Sequence, residues 1–412
     1  MQIKLKLDSI VSFLWFLLLI SKVAANLELN LLISPTAIYY ISASALVFLL
    51  ICLLYKPSKI NVAKSYYFWF FLFGMYVLFF GVVFSNREYW ELIKINIRIS
   101  LTFYVIVFLM GAYLAKRNRM MQIIKVTYVT IVTVVILMML LNIQECRSIP
   151  FLIRNIFSGY ERVRANFGFV HPNLTGNTAL CGILLSAFFN RQNSSKIKLL
   201  FIYGLDLLLI YIILATASRS SLVGILLFSI LLLYKAIMNS ITNKKLRQII
   251  VFLLGIVCLI LFFFSTDIKL NDLVLMTNRS GNFYYNIPIL IRNNKLWTGL
   301  AYIGSGEFMS SSLGTFFVDN YILYTLMSSG LIGMGFNIIF IIVLSKNVLT
   351  NQIITKEIAD VVKLLLIVNL FISLAETCFM YPSFPSCYIL TSLYLAVFAK
   401  DKRNYVEESQ CG

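Results

Sequence analysis

Only 13% of the 412 residues are charged, a single one is histidine, and the seven cysteines stand at no spacing that a metal ion would use. The shortage of charge excludes a soluble globule of average composition, because 60% of the chain is hydrophobic and its mean hydropathy is +0.87. Cys52, Cys181 and Cys258 lie inside apolar runs, where cysteine serves as a small core residue, so no metal and no cofactor is expected. No polar mature domain follows the first apolar run, Ile10 to Ala25. A second run starts within ten residues, which makes the first a membrane helix rather than a cleaved leader. A net charge of +18 would point a soluble protein toward nucleic acid. In a membrane protein it asks instead which side each charge faces, and no nucleic-acid partner is expected.

What the sequence does have is one long apolar run after another. A span needs about 20 apolar residues, and cutting at the polar breaks predicts twelve, beginning near Ile10, Ser34, Tyr66, Ile97, Gln122, Asn173, Leu199, Ser220, Gln248, Val318, Val361 and Pro385. The eighth and twelfth are short. With the N-terminus inside, the cytoplasmic segments collect 22 of the 35 basic residues, and each of the seven carries at least two. The positive-inside rule therefore supports the count and puts both termini in the cytoplasm. The expected fold is an all-α polytopic membrane protein of about 12 transmembrane helices. Residues 1–412 form one integral membrane domain with two large extracytoplasmic loops, 143–172 and 266–317, the latter between spans nine and ten.

Basic residues divide by type as well as by side: 17 Lys and 5 Arg inside, 4 Lys and 9 Arg outside. Arginine's planar fork binds phosphate or carboxylate bidentately, whereas lysine is a compact point charge. An outer face rich in Arg suits a phosphorylated or acidic ligand. The alternative is pairing with lipid headgroups and with outer carboxylates such as Glu88, Glu91, Glu145 and Glu161.

The stretch from Ser265 to Gly333 is the one long polar interruption, and its loop of roughly fifty residues far exceeds the usual ~4–6. Phe283, Tyr284, Tyr285, Ile289, Leu290 and Trp297 make it too apolar for disorder, so it reads as a folded cap over an active site. Arg279, Arg292 and, where the loop re-enters the membrane, Asp319-Asn320 are its polar candidates. A carboxylate at such a boundary can be a tuned base or a counter-ion for arginine. Gly299, Gly304 and Gly306 permit turns with positive φ. Upstream, Arg162-Val-Arg164 leads through Gly168 to His171-Pro172-Asn173 and the start of the sixth span. Pro172 fits a first helical turn, and a helix start attracts anions. Thr216-Ala-Ser218-Arg219 breaks the apolar run between spans seven and eight, either as an ordinary tight turn or as an arginine facing a cavity at the membrane boundary. Glu376 is a weaker outer candidate, and Asp206 is the one acid deep in a span.

Taken together, Arg164-x-x-x-Gly168-Phe-x-His171-Pro-Asn173, Thr216-Ala-Ser218-Arg219, Arg279 with the tryptophan and glycines after it, and Asp319-Asn320-Tyr321-x-Leu323 leading to Gly330-Leu-x-Gly333 resemble the bacterial O-antigen polymerase and O-antigen ligase superfamily, which includes capsule and exopolysaccharide polymerases. The resemblance covers Arg162 to Gly333 and the topology. Many relatives, ligases especially, carry histidine where Asp319 stands. The resemblance implies a metal-independent glycosyltransferase of the membrane type C architecture in the bacterial cytoplasmic (inner) membrane. It would join polyprenyl-pyrophosphate-linked oligosaccharides at the outer face, alongside a flippase and a chain-length regulator of the same pathway. Asp319 or His171 would be the base; Arg162, Arg164, Arg219, Arg279, Arg292, Asn173, Asn320 and Glu376 would hold pyrophosphate and substrate. The alternatives are an O-antigen ligase and a lipid-linked oligosaccharide flippase or polysaccharide transporter. Against transport, membrane-depth charge is nearly limited to Asp206 while polarity gathers at the outer face.

Overall fold

The structure is a computed structural model that describes residues 2–28, 34–56, 61–84, 90–156, 162–189, 195–240, 279–300, 320–350, 356–382 and 384–400, with isolated positions at 246, 249–250, 253, 255–257, 260 and 318. Among the described residues the chain is helical and has no strand, only two isolated β-bridges. The helices are α1 (Gln2–Ala24), α2 (Pro35–Tyr55), α3 (Lys64–Leu78) running into a π-helical turn (Phe79–Val83), α4 (Trp90–Arg117), α5 (Met120–Leu141), the short α6 (Ile149–Ile156), α7 (Pro172–Ser186), α8 (Lys196–Thr216), α9 (Arg219–Ser240), α10 (Arg279–Arg292), α11 (Tyr321–Thr350), α12 (Lys356–Ser373) and α13 (Pro385–Ala399). Seven of them are long and apolar enough to cross a membrane, the architecture of a helical polytopic membrane protein.

Burial explains the arrangement. Every residue of α13 is buried, and so is every residue of α7 except Asn173. These two short helices form the centre, with α4, α11, α12 and α1 around α13, and α5, α8 and α9 around α7. Outward faces of the peripheral helices carry exposed apolar side chains such as Ile41, Phe48, Ile197 and Leu200. A lipid environment accepts such faces, whereas water would not.

Polar contacts sort the helix ends into two faces. On one, Asp8 accepts from Tyr113 Oη (2.8 Å) and Arg119 Nε (3.1 Å), Lys116 donates to the Leu54 carbonyl, Ala63 N–H donates to the Ala399 carbonyl, and Lys235 pairs with Asp360. On the other, Leu27 bridges to Phe169, Glu145 holds Asn166 and Phe167, Asn173 meets Glu376, and Lys295 donates to the Phe84 carbonyl. Each contact joins segments that the basic-residue count puts on one side.

Helices cover or adjoin eleven of the twelve expected starts, but α1 and α4 begin about two turns earlier than expected, at Gln2 and Trp90. The expected ninth span lies largely outside the described residues. The eighth is not short: α9 runs for 22 residues, because Lys235, taken from sequence as a polar break, is neutralised by Asp360 and the helix passes through it. Asp206 Oδ2 and Ser186 Oγ lie 2.7 Å apart, so α7 and α8 share a hydrogen bond inside the bundle.

The described part of the long loop, 279–300, inserts into the side of the bundle. Helix α11 is broken at Gly330, where φ is +65° and ψ −167°. Leu331 N–H donates to Leu296 O, Ile332 N–H to Trp297 O, and Leu300 N–H to Met327 O. Backbone groups freed by the break thus find partners in the loop, as non-helical backbone at membrane depth requires. Gly299, also at φ +72°, faces Gly330 so closely that a Cβ on either would overlap the other segment's backbone. Gly330→Ala is therefore expected to destabilise by roughly 2–6 kcal/mol, adding backbone strain to overpacking. Gly335→Ala in the same helix meets nothing within 4 Å and should be neutral or slightly stabilising. Thermal melts in detergent check the pair. Equal melting temperatures would show that the break does not matter to the fold.

Candidate functional site

The second face gathers three stretches that are far apart in sequence. Helix α8 ends at Ala217, which takes the left-handed conformation at φ +46° and leaves the last carbonyls of the helix without intrahelical donors. Residues 162–165 run past this end and supply donors in register: Ala165 N–H to Ala215 O (3.0 Å), Arg164 Nε to Thr216 O (3.1 Å) and Arg162 Nη1 to Ala217 O (3.2 Å). Both guanidiniums sit at the negative end of the α8 dipole, where cations are stabilised. Arg219 does the same for α6. Its Nε and Nη2 both donate to Ile156 O, at 3.4 and 3.3 Å. Each of these arginines is anchored at a helix C-terminus, a role that the sequence reading did not assign to any of them.

From Arg164 a chain of hydrogen bonds crosses the site. Its Nη2 donates to Asn173 Oδ1; Asn173 Nδ2 donates to Glu376 Oε1 at 2.8 Å; and Ser220 Oγ donates to the same carboxylate oxygen at 3.3 Å. Glu376 is buried and so ties α7, α9 and the segment after α12 together. Beneath it, Gly176 on α7 lets α9 approach: a Cβ there would lie 2.8 Å from Ser218 Cβ and 2.9 Å from Ser221 Oγ.

His171 is the N-cap of α7. Its Nδ1 accepts from Asn173 N–H at 3.1 Å, and its carbonyl accepts from Leu174 and Thr175. Pro172 has no N–H, so the first-turn donors that would have made this helix start attractive to an anion are spent internally. The dipole remains. As acceptor, Nδ1 is unprotonated, which places the proton of the neutral ring on Nε2. Although the residue is exposed at the surface, partial desolvation of the ring and then the charge of Arg164 lower its pKa from the ordinary histidine value, favouring that neutral, capping form.

The remaining candidates separate. Asn320 is the N-cap of α11, its Oδ1 accepting from Leu323 N–H at 2.7 Å, and is buried. Arg292 is exposed in the last turn of α10. Arg279 opens the same helix, and its side chain lies outside the described residues, as does Asp319 altogether. Among the described residues no group of three or more His, Cys, Asp or Glu side chains could hold a metal ion.

No protein-family model matches the chain, and no curated protein matches it.

Sequence reasoning underused Glu145. Its Oε2 accepts from Asn166 N–H (2.7 Å) and Phe167 N–H (2.9 Å), which holds the loop through Phe167, at φ +48°, and Gly168, at φ +72°, in place. A carboxylate in a loop shortly before two arginines and a glycine looks like surface charge until the fold turns it back onto their backbone.

Proposed function

We propose that the protein joins polyprenyl-pyrophosphate-linked oligosaccharide repeat units into O-antigen, capsule or exopolysaccharide at the outer face of the bacterial cytoplasmic membrane. It would do so as a twelve-span glycosyltransferase of the type C kind with both termini in the cytoplasm. The observation that carries this reading is the linkage of Arg164, Asn173, Glu376 and Ser220 from three distant stretches into one hydrogen-bonded cluster, with Arg162 and His171 alongside, on the face whose basic residues are mostly arginine.

The reaction forms a glycosidic bond between an acceptor hydroxyl and the anomeric carbon of the donor. The bond from that carbon to the pyrophosphate oxygen breaks, and the hydroxyl proton goes to a base. Charge builds on the leaving pyrophosphate, and stabilising it is usually the largest catalytic contribution. A guanidinium has five donors in a fixed fork. Arginines already anchored by a backbone carbonyl would present their planes to that charge without reorganisation. Asp319, which precedes α11 in the sequence, is the preferred base. His171 is less suited, because taking a proton at Nδ1 breaks the cap of α7. Aspartate at position 319, where ligases of the resembled superfamily carry histidine, favours polymerase over ligase.

Lipid-linked glycan from a strain lacking the protein tests this reading. Single repeat units accumulating on the outer-leaflet lipid are expected. Long chains stranded on the lipid would indicate a ligase, and repeat units confined to the inner leaflet a flippase; either result overturns the proposal.

A further inference from the structure

We propose that the cavity behind Arg164 is a binding site for a single sugar ring of low net charge. In the transfer reaction proposed above, and resting on that reading, it would hold the acceptor end. The cavity has a volume of about 290 Å³ and opens on the same face as the Arg164–Asn173–Glu376 chain. Its walls come from Glu28 in the segment after α1, the end of α5 with the turn after it, α6, residues 163–168 and the end of α8. The size sits at the lower edge of small-molecule sites, which begin near ~300 Å³.

Its chemistry is specific. Glu28 and Glu145 contribute two carboxylates, Arg147 and Arg164 two guanidiniums, Asn142 a carboxamide, and Phe151 an exposed aromatic ring. The two carboxylates disfavour a phosphate, and the two guanidiniums disfavour a cation. Hydroxyl groups suit both sets, donating to carboxylate oxygens and accepting from guanidinium N–H, while the aliphatic face of a sugar ring suits the phenyl group.

The walls are also fixed in advance, as binding sites require. Glu145 Oε2 holds Asn166 and Phe167 N–H; Glu28 N–H donates to Gly168 O at 2.9 Å; Val170 N–H donates to Asn26 O at 3.0 Å; and Ala165 N–H donates to Ala215 O at 3.0 Å. Tyr211 Oη clips the turn at Arg147 from both sides, accepting its N–H at 3.0 Å and donating to its carbonyl at 2.9 Å. Four separated segments are thereby held around one space, and Asn155 of α6 joins them by bonding Val163 through both polar atoms of its carboxamide. Arg164 borders both this space and the proposed pyrophosphate site, which places an acceptor ring next to the leaving group.

Saturation-transfer difference NMR on the full-length protein in lipid nanodiscs, with a panel of free hexoses, 6-deoxyhexoses and N-acetylhexosamines, tests the site without needing any reaction. At least one sugar should give a signal. Val163→Trp, which fills the cavity from an exposed side chain while leaving the backbone bonds of Val163 to Asn155 intact, should abolish it. Glu145→Gln keeps an acceptor for Asn166 and Phe167 but loses the charge, and should weaken binding by about ten- to a hundredfold. No signal with any sugar, or a signal that survives Val163→Trp, overturns the proposal. Running the polymerisation assay in parallel separates the two readings. Sugar binding that Val163→Trp removes and Glu145→Gln weakens, in a protein that transfers nothing, upholds the cavity and sinks the reaction; transfer without cavity-dependent sugar binding does the reverse.

Discussion

Asp319→Asn should lower glycan transfer by about 10²–10⁴-fold, the usual cost of losing a general base, while His171→Gln leaves transfer measurable. The two residues have similar sequence credentials, both expected on the outer face and each close in sequence to the expected start of a span. A carboxylate with a reference pKa of about 3.9 is ionised at neutral pH and can accept a proton directly. His171 Nδ1 already accepts Asn173 N–H, and glutamine at that position can supply a comparable side-chain acceptor. A purified assay on lipid-linked repeat units, with folding checked by size-exclusion chromatography and thermal melts, decides between them. An inactive His171→Gln beside an active Asp319→Asn would make the histidine the base and assign the aspartate to the loop.

Arg164→Lys is expected to reduce transfer by about 10²–10³-fold, nearly as much as Arg164→Ala. Removing one well-placed donor to a developing oxyanion costs on that scale. Arg164 reaches Thr216 O through Nε and Asn173 Oδ1 through Nη2, two targets fixed on different helices. A lysine ammonium keeps the charge but not the fork. It would have to choose between the α8 carbonyl and Asn173, and the chain to Glu376 would lose its end. Capping alone predicts a different pattern: a lower melting temperature with transfer per folded molecule unchanged. That pattern, or full polymer from the lysine variant, would reduce Arg164 to a structural cation.

The local break at Gly330 shows where reading the chain linearly stops. Gly330 and Gly333 stood out as part of a motif, and Gly299 as a turn glycine, and Gly299 does adopt a positive φ. Gly299 and Gly330 share one reason, a contact between residues 31 apart in sequence: they let the loop backbone press into the broken helix, with Leu296 and Trp297 carbonyls accepting the freed N–H groups of Leu331 and Ile332, whereas Gly333 makes room for Ser329. A glycine reports that a backbone needs room. It does not report what fills the room.

Composition and periodicity by themselves determined that the chain is helical and built for a membrane, and where nearly every helix lies, because runs of about 20 apolar residues have few other stable forms. The alternation of basic residues also predicted which helix ends share a face, and each polar contact between ends agrees with it. Tertiary structure alone decided which helices are central. Hydropathy points the other way, since α7 and α13 are less apolar than α2 and α8, yet α7 and α13 are wrapped by neighbours while α2 and α8 turn Phe48 and Leu200 outward. It alone decided that Arg162 and Arg164 close the end of α8, that Arg219 closes the end of α6, and that Glu145 folds back onto Asn166 and Phe167. The physical reason is one of range. Burial preference is a property of each residue and its near neighbours, legible along the chain, whereas a guanidinium or carboxylate is satisfied by whichever carbonyl or N–H the packing brings within 3 Å or so, and that depends on every helix at once.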